Sequence, residues 1–305
     1  SSATFANQAC QKSMNEEISR LLKPVFGREV EVQSSFPSGG GCINQTSVLQ
    51  LTNGDRVFLK YNSHPPADFF AVEAKGLKLL AQTIKGPRIP KPLAMQDSTR
   101  PTFLILEYIE ASSPRHDFPV HFALSLAELH RITHNSFGLD HDNYIGSTVQ
   151  KNSQETNGID FFRDHRLRFQ QELARKSGKL PSPTDKNLSK LCDRLENYLD
   201  ILGEKPALLH GDLWSGNYFP DREQVPCIFD PAIYFGLREA DLAMTELFGR
   251  LPQRFYDAYH EAFPLNPGYE ERKDLYNLYH LLNHLNLFGN SYLASVEQVI
   301  RRYIG

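Results

Sequence analysis

Residues 208–219, LLHGDLWSGNYF, pass from an apolar run to an acid within a few positions, and residues 226–230, PCIFD, do the same. Asn217 follows Asp212 by five positions, and Asp230 follows Asn217 by thirteen. Carboxylates and amides are poor core material unless they are paired. A chain that ends two short strands on such groups therefore has a reason to bring them together, and a shared ligand at the strand ends is one. Three such groups in register favour a ligand over separate turn caps.

The elements around this pattern constrain the fold further. "NEEISRLLKPVFG" places Ile18, Leu21 and Leu22 at helical spacing, with Pro24 and Gly27 as expected stops. "EVEVQSSF" alternates like a strand, and a glycine-rich loop, "PSGGGCINQ", follows. Two β-rich runs flank Asn53-Gly54 in "TSVLQLTNGDRVFLKY", a hairpin signal. "PPADFFAVEAKGLKLLAQT" reads as a helix begun by proline, and "RIPKPLAM" and "TFLILEYI" as two more strands. From about residue 115 helical periodicity dominates. The run from Tyr269 to Ile304 is expected to break into two helices near Gly289. The spacing thus predicts an α+β, two-lobed fold. It has a small N-terminal antiparallel β-sheet lobe, 1–108, and a large, mainly helical C-terminal lobe, 109–305.

Composition removes other classes. The 305 residues are 40% hydrophobic and 23% charged, with a formal net charge of −3. No bulk attraction to nucleic acid or to an anionic membrane follows from that balance, and no apolar run reaches the length of a membrane span. Cys10, Cys42, Cys192 and Cys227 are scattered, without a C-x-x-C pair. That argues against a disulfide framework and against structural zinc. A reducing, cytoplasmic location is the expectation; an organelle-targeting segment removed earlier would leave no trace.

Phosphoryl transfer from ATP needs a base for the attacking hydroxyl, metal ions on the phosphates, and cations or amides along the triphosphate. Asp212 in H-G-D-x-x-x-x-N stands where a kinase catalytic-loop Asp stands. Asn217 and Asp230 are placed to ligate Mg²⁺, which prefers hard oxygen donors. Lys60 ends the strand "RVFLK" and Glu73 follows on the next helix, the arrangement of a phosphate-binding Lys held by a Glu. Gly39, Gly40 and Gly41 suit a loop whose backbone amides approach phosphates. Glu107, Tyr108 and Ile109, after "LIL", are the expected connector whose backbone groups read the adenine edge.

These residues resemble the fructosamine-3-kinase (ketosamine-3-kinase) family, within the aminoglycoside-phosphotransferase and choline-kinase group of protein-kinase-like folds. "LLHGDLWSGN" and "IFDPAIYFGLREADLAMTELFG" carry the resemblance, and "GGGCINQ", "VFLKYN", "VEAKGLKLLA", "LAELHR" and "NHLNLFGNSY" match in order and spacing. It covers nearly all the chain from about residue 12. The resemblance implies ATP- and Mg²⁺-dependent phosphorylation of the 3-hydroxyl of a ketosamine sugar, free or on a protein lysine. The adduct then breaks down, which makes the reaction a deglycation repair. Asp212 would be the base, Asn217 and Asp230 the metal ligands, Lys60 with Glu73 the phosphate clamp, and Asp241 a buried brace for the catalytic loop.

Trp214, Tyr234 and His284 are the candidates for substrate contact. Each has a reading as packing as well: Trp214, for which stacking on substrate is favoured, in the core of the large lobe, and His284, evenly, as a satisfied histidine on an apolar helix. The polar stretch 143–158 reads as a lid or as a solvated loop. Cys42, after three glycines in the phosphate-binding loop, is expected to be redox-sensitive. The expected state is a monomer that oxidation through Cys42 could link into a homodimer. Two alternatives stay open at this level: another kinase of the same fold, acting on an aminoglycoside, choline or methylthioribose, or an inactive kinase-like binding protein.

Overall fold

The structure, a computed structural model, describes residues 2–39, 43–98 and 100–305, with side chains from residue 12 onward. Gly40, Gly41 and Cys42, expected to bind phosphate or to respond to oxidation, lie outside the described residues. The chain divides into two compact units, Ser1–Leu79 with Ile89–Ala111 and Leu80–Arg88 with Ser112–Gly305.

In the first unit, α1 (Ser2–Phe26) precedes strands β1 (Val32–Pro37), β2 (Gln45–Leu51) and β3 (Arg56–Asn62); α2 (Phe69–Leu80), β4 (Pro92–Gln96) and β5 (Thr102–Glu107) follow. Among the described residues the sheet runs β1-β2-β3-β5-β4, with every neighbouring pair antiparallel. Alternate residues Leu49 and Leu51, Val57 and Leu59, and Phe103 and Ile105 face one side, the period-2 outcome of a pleated strand. Met14, Ile18 and Leu22, spaced by one helical turn, cover them from α1. The hairpin forms where Asn53-Gly54 predicts it. Gly54 N–H donates to Leu51 O at 3.0 Å, and Gly54 takes φ +90°, which a side chain would resist.

Two expected boundaries move. Pro24 does not stop α1, which continues to Phe26 and ends at Gly27 with φ +67°. In the last turn a proline forfeits only one intrahelical bond, and the left-handed glycine makes the actual stop. Pro65 and Pro66 do not start α2; Asp68, at φ +55°, separates them from Phe69.

The second unit holds α3 (Phe118–His130), the hairpin β6 (Asn143–Ile145) and β7 (Thr148–Gln150), α4 (Gly158–Phe161), a π-helical turn (Phe162–Arg168), α5 (Phe169–Lys176) and α6 (Ser182–Cys192). Then come β8 (Ala207–Leu209), β9 (Tyr218–Pro220), β10 (Pro226–Ile228) and β11 (Tyr234–Gly236). Helices α7 (Glu239–Leu247), α8 (Gln253–Ala262), α9 (Tyr269–Phe288) and α10 (Leu293–Ile304) complete it. β8 pairs antiparallel with β11, and β9 with β10. These two ribbons carry the segments that end on Asp212 and Asp230. Gly289, at φ +96°, separates α9 from α10 as the sequence predicts.

Within the stretch 143–158, residues 143–150 form a paired hairpin rather than a solvated loop, while Ser153, Gln154, Thr156 and Asn157 are exposed. Asn143, Gln150 and Asn152 are buried. Gln150 Nε2 donates to Ala232 O at 2.9 Å, and Asn143 Nδ2 to Ile233 O at 2.8 Å. These amides satisfy backbone carbonyls that burial would otherwise leave unpaired.

Candidate functional site

The turn that carries Asp212 is built on a close backbone approach. Gly211 has φ +84°, and a Cβ there would stand 1.9 Å from Ala232 O, so this position admits only glycine. Ala232 N–H returns a hydrogen bond to His210 O at 2.9 Å. His210 is fully buried and neutral; burial lowers its pKa. Its ring is satisfied as the Nε2–H tautomer, donating to Phe229 O at 2.8 Å while Nδ1 accepts Asp212 N–H at 3.2 Å. Thus one histidine ties the strand that leads to Asp212 to the strand that leads to Asp230.

Asp241, in the first turn of α7, accepts His210 N–H at 2.7 Å and Gly211 N–H at 2.9 Å. His130 Nε2 lies 3.1 Å from its Oδ2, and Tyr259 Oη lies 2.7 Å from His130 Nδ1. Burial alone would raise the Asp241 carboxyl, but His130 first and the Gly211 amide besides hold the carboxyl below its ordinary range. Asp241 thus braces the turn that carries Asp212. The His130–Tyr259 support behind it escaped the sequence reading, although "LAELHR" carries the histidine.

Asp212 emerges from this frame with its carboxyl pushed up to about 7. Burial is the main cause, and the Asp230 carboxylate adds repulsion. Asn217 is buried; its Nδ2 donates to Asp212 O at 2.8 Å and to Asp212 Oδ2 at 3.2 Å. Both contacts use the amide nitrogen, so the amide oxygen is the atom suited to a cation. Asn217 N–H closes a turn onto Trp214 O at 2.9 Å, and Asn217 O accepts Phe229 N–H at 3.1 Å. The expected base, aromatic and amide therefore share one turn, and the strand carrying Asp230 is hydrogen-bonded to it. Asp230 is a non-glycine residue at φ +54°. Strain of that kind gathers at functional positions.

In the first unit Lys60 Nζ meets Glu73 Oε1 at 2.5 Å, with side-chain exposures of 3% and 10%. This buried ion pair fixes the position of the Lys60 ammonium. Gly39 is exposed beside the turn that Ser38 N–H and Thr46 O close at 3.0 Å. At the expected adenine edge, Glu107 N–H is taken by Lys91 O at 2.8 Å, Arg56 lies over the Tyr108 ring at 4.5 Å, and Ile109 is buried.

Of the three substrate candidates, the structure keeps two near a surface. Trp214 is half-buried, and its ring folds over Gly216, where a Cβ would stand 2.2 Å from the indole. His284 is half-buried, with Nδ1–H donating to His280 O at 2.8 Å; its Nε2 is then an acceptor. Tyr234, expected to touch substrate, is only 3% exposed. Its ring carries the fully buried Arg166 guanidinium at 3.9 Å, so it belongs to the core beneath the turn. Arg166 escapes a reading of the residues alone, because its π-helical turn interrupts an otherwise ordinary helical pattern.

The family model for fructosamine kinase matches residues 14–305. A Synechocystis protein assigned as a ketoamine kinase is 38% identical over 94% of this chain and 96% of its own. The chloroplastic protein-ribulosamine 3-kinase of Arabidopsis thaliana is 37% identical over 96% of this chain and 89% of its own. A crystal structure assigned to fructosamine-3-kinase from Haemophilus somnus 129PT superposes with a TM-score of 0.84 at 29% identity, covering 94% of this chain and 97% of that one. The turn that holds Asp212, Asn217 and Trp214 thus sits in a protein-kinase-like fold matched over almost its whole length, and the chain belongs to the fructosamine kinase family.

Proposed function

We propose that this protein uses ATP to phosphorylate the 3-hydroxyl of ketosamines, the sugar adducts of amines. The observation that carries the reading is the Asp212–Asn217 turn, tied through His210 and Phe229 to Asp230, in a chain of this family. Asp212 accepts the proton of the 3-hydroxyl as the sugar oxygen attacks the γ-phosphorus and ADP leaves. Its raised carboxyl suits a base that works near neutral pH.

Asn217 and Asp230 fit Mg²⁺. The set offers one amide oxygen and one carboxylate beside Asp212, and an ion that completes its shell with phosphate oxygens and water needs no more. Among the described residues no group of three or more His, Cys, Asp or Glu forms an alternative metal cage. When bound, Mg²⁺ neutralises charge on the triphosphate. Lys60, fixed by Glu73, meets the phosphates together with the amides of Gly39, Gly40 and Gly41. Adenine is read by backbone groups from Glu107 to Ile109 other than the Glu107 N–H, which Lys91 occupies. Residues 1–108 form the nucleotide part and 109–305 the part that holds base, metal ligands and ketosamine. Trp214 and His284 contact that substrate.

The test is ATP turnover with Mg²⁺ on a fructosamine, a ribulosamine, an aminoglycoside and choline. A ketosamine is expected to be the best acceptor. Faster turnover of the aminoglycoside or choline would overturn the assignment.

Among the described residues Cys192 and Cys227 are buried, and no helix is long and apolar enough to cross a membrane; a reducing compartment such as the cytoplasm is the location this reading takes. The redox role of Cys42 stands on the sequence alone. Mild oxidation is expected to give a covalent dimer on a non-reducing gel, and a dimer that persists in Cys42→Ala would reject that role.

A further inference from the structure

Trp214 is one end of a continuous strip of rings. Its edge meets Phe248 at 6.4 Å between centroids and an interplanar angle of 85°. Phe248 meets His284 at 4.9 Å, and His284 meets Phe288 at 5.3 Å and Tyr292 at 5.1 Å. The strip joins three separate places in the chain: the turn after Asp212, the exit of α7, and the junction of α9 with α10. Its parts are held firmly. Trp214 lies over Gly216, His284 is anchored to the His280 carbonyl, and a Cβ at Gly249 would stand 3.7 Å from Ser215 Oγ, which puts the α7 exit beside the catalytic turn.

The most exposed phenylalanines of the strip, Phe248 and Phe288, are 37% and 46% exposed. Two exposed phenylalanines on a shared ring cost solubility without filling a core, and such patches mark binding surfaces. The surroundings also indicate which chemistry would bind. Glu246, on the last turn of α7, accepts from Arg250 at 3.0 Å, Lys273 at 2.7 Å and Tyr269 at 2.9 Å. That acid is already compensated, so the strip offers a polycation little and an apolar chain a great deal.

We propose that the strip is the subsite for the hydrocarbon stem that joins the ketosamine nitrogen to its carrier, with Phe248 and Phe288 setting specificity for the amine half of the substrate. The proposal rests on the ketosamine-kinase reading. A ketosamine has two unlike halves. The polyol needs hydrogen-bonding groups, which the Asp212–Asn217 turn supplies two residues from Trp214. The amine substituent begins as alkyl chain, as in the methylene stem of lysine. Ring faces pack methylenes without fixed hydrogen-bond partners, so one strip serves carriers that differ beyond the stem.

The experiment is kcat/KM for N-alkyl ketosamines from N-methyl to N-hexyl, with the parent and with Phe248→Ala/Phe288→Ala. Full burial of a methylene is worth about fourfold, and this half-open strip is expected to give about twofold for each, or roughly 30-fold across the series. In the double variant the N-hexyl to N-methyl ratio should fall below about threefold. That ratio is internal to each preparation, so a smaller folded fraction does not change it. A flat series in the parent, or a parent-like ratio in the variant, overturns the strip while leaving the kinase reading intact. Failure to turn over any member would overturn the kinase reading and the strip together.

Discussion

Asp212→Asn is expected to lower kcat on a ketosamine by about a thousandfold or more, and also to stabilise the nucleotide-free protein at alkaline pH. The first effect follows from loss of the only group in the turn positioned to take the hydroxyl proton; the amide keeps the shape and the Asn217 contact but has no basicity. The second follows from the raised carboxyl. In the folded chain Asp212 ionises near 7, chiefly because burial and the Asp230 charge disfavour its anion. Unfolded, it would ionise near the ordinary value of 3.8. The folded state therefore binds the extra proton in that window, and stability falls as pH rises from about 4 to about 7. Above about pH 7 the opposition to folding is complete, at most about 4 kcal/mol. Partial solvent contact reduces it to about 2 kcal/mol. Asparagine removes it, so the gain in Tm should be largest near pH 8 and shrink toward pH 5. Turnover within about tenfold of the parent would remove Asp212 from the role of base. A Tm gain that does not change with pH would instead place the stabilisation outside the carboxyl's ionisation.

The features legible in the sequence were those whose cause is local. Asn53-Gly54 makes its hairpin because the turn residues themselves supply the left-handed geometry, and Gly289 divides two helices for the same reason. The Lys60–Glu73 pair and the Asp241 brace could be anticipated because each has a fixed place in a motif, on a strand or on the first turn of the next helix. The misread features depend on partners far away in the chain. Gln150 looks like a solvated loop residue until its amide finds Ala232 O, 82 positions later. Tyr234 looks like a candidate ligand because it follows an expected metal-binding acid, yet β11 is buried throughout and Tyr234 packs under Arg166. Phe248 reads as the apolar end of a helix; only the fold brings it against Trp214 and His284.

Asp230→Asn should damage Mg-ATP binding more than Asp212→Asn does, and the backbone explains why asparagine is the informative replacement. Asp230 occupies φ +54°, a region that asparagine tolerates and alanine does not. Asp230→Ala would mix lost charge with strain of about 1–2 kcal/mol, whereas Asp230→Asn isolates the charge. The remaining oxygen could still touch a cation, but the site would lose the carboxylate that balances it, and an affinity loss of about a hundredfold for Mg-ATP is expected. Affinity for ATP with EDTA present should stay close to that of the parent, because Lys60 and the glycine loop are unchanged. The same substitution relieves Asp212. Without the Asp230 charge its carboxyl moves back toward the usual carboxylate range, while burial still holds it above. Residual turnover in Asp230→Asn should therefore persist to lower pH than turnover in the parent. Calorimetric titrations with Mg-ATP and with ATP plus EDTA, together with pH–rate profiles, separate these effects. If Asp230→Asn binds Mg-ATP as tightly as the parent, the metal is held elsewhere. If both titrations weaken equally, Asp230 shapes the nucleotide site rather than ligating the ion.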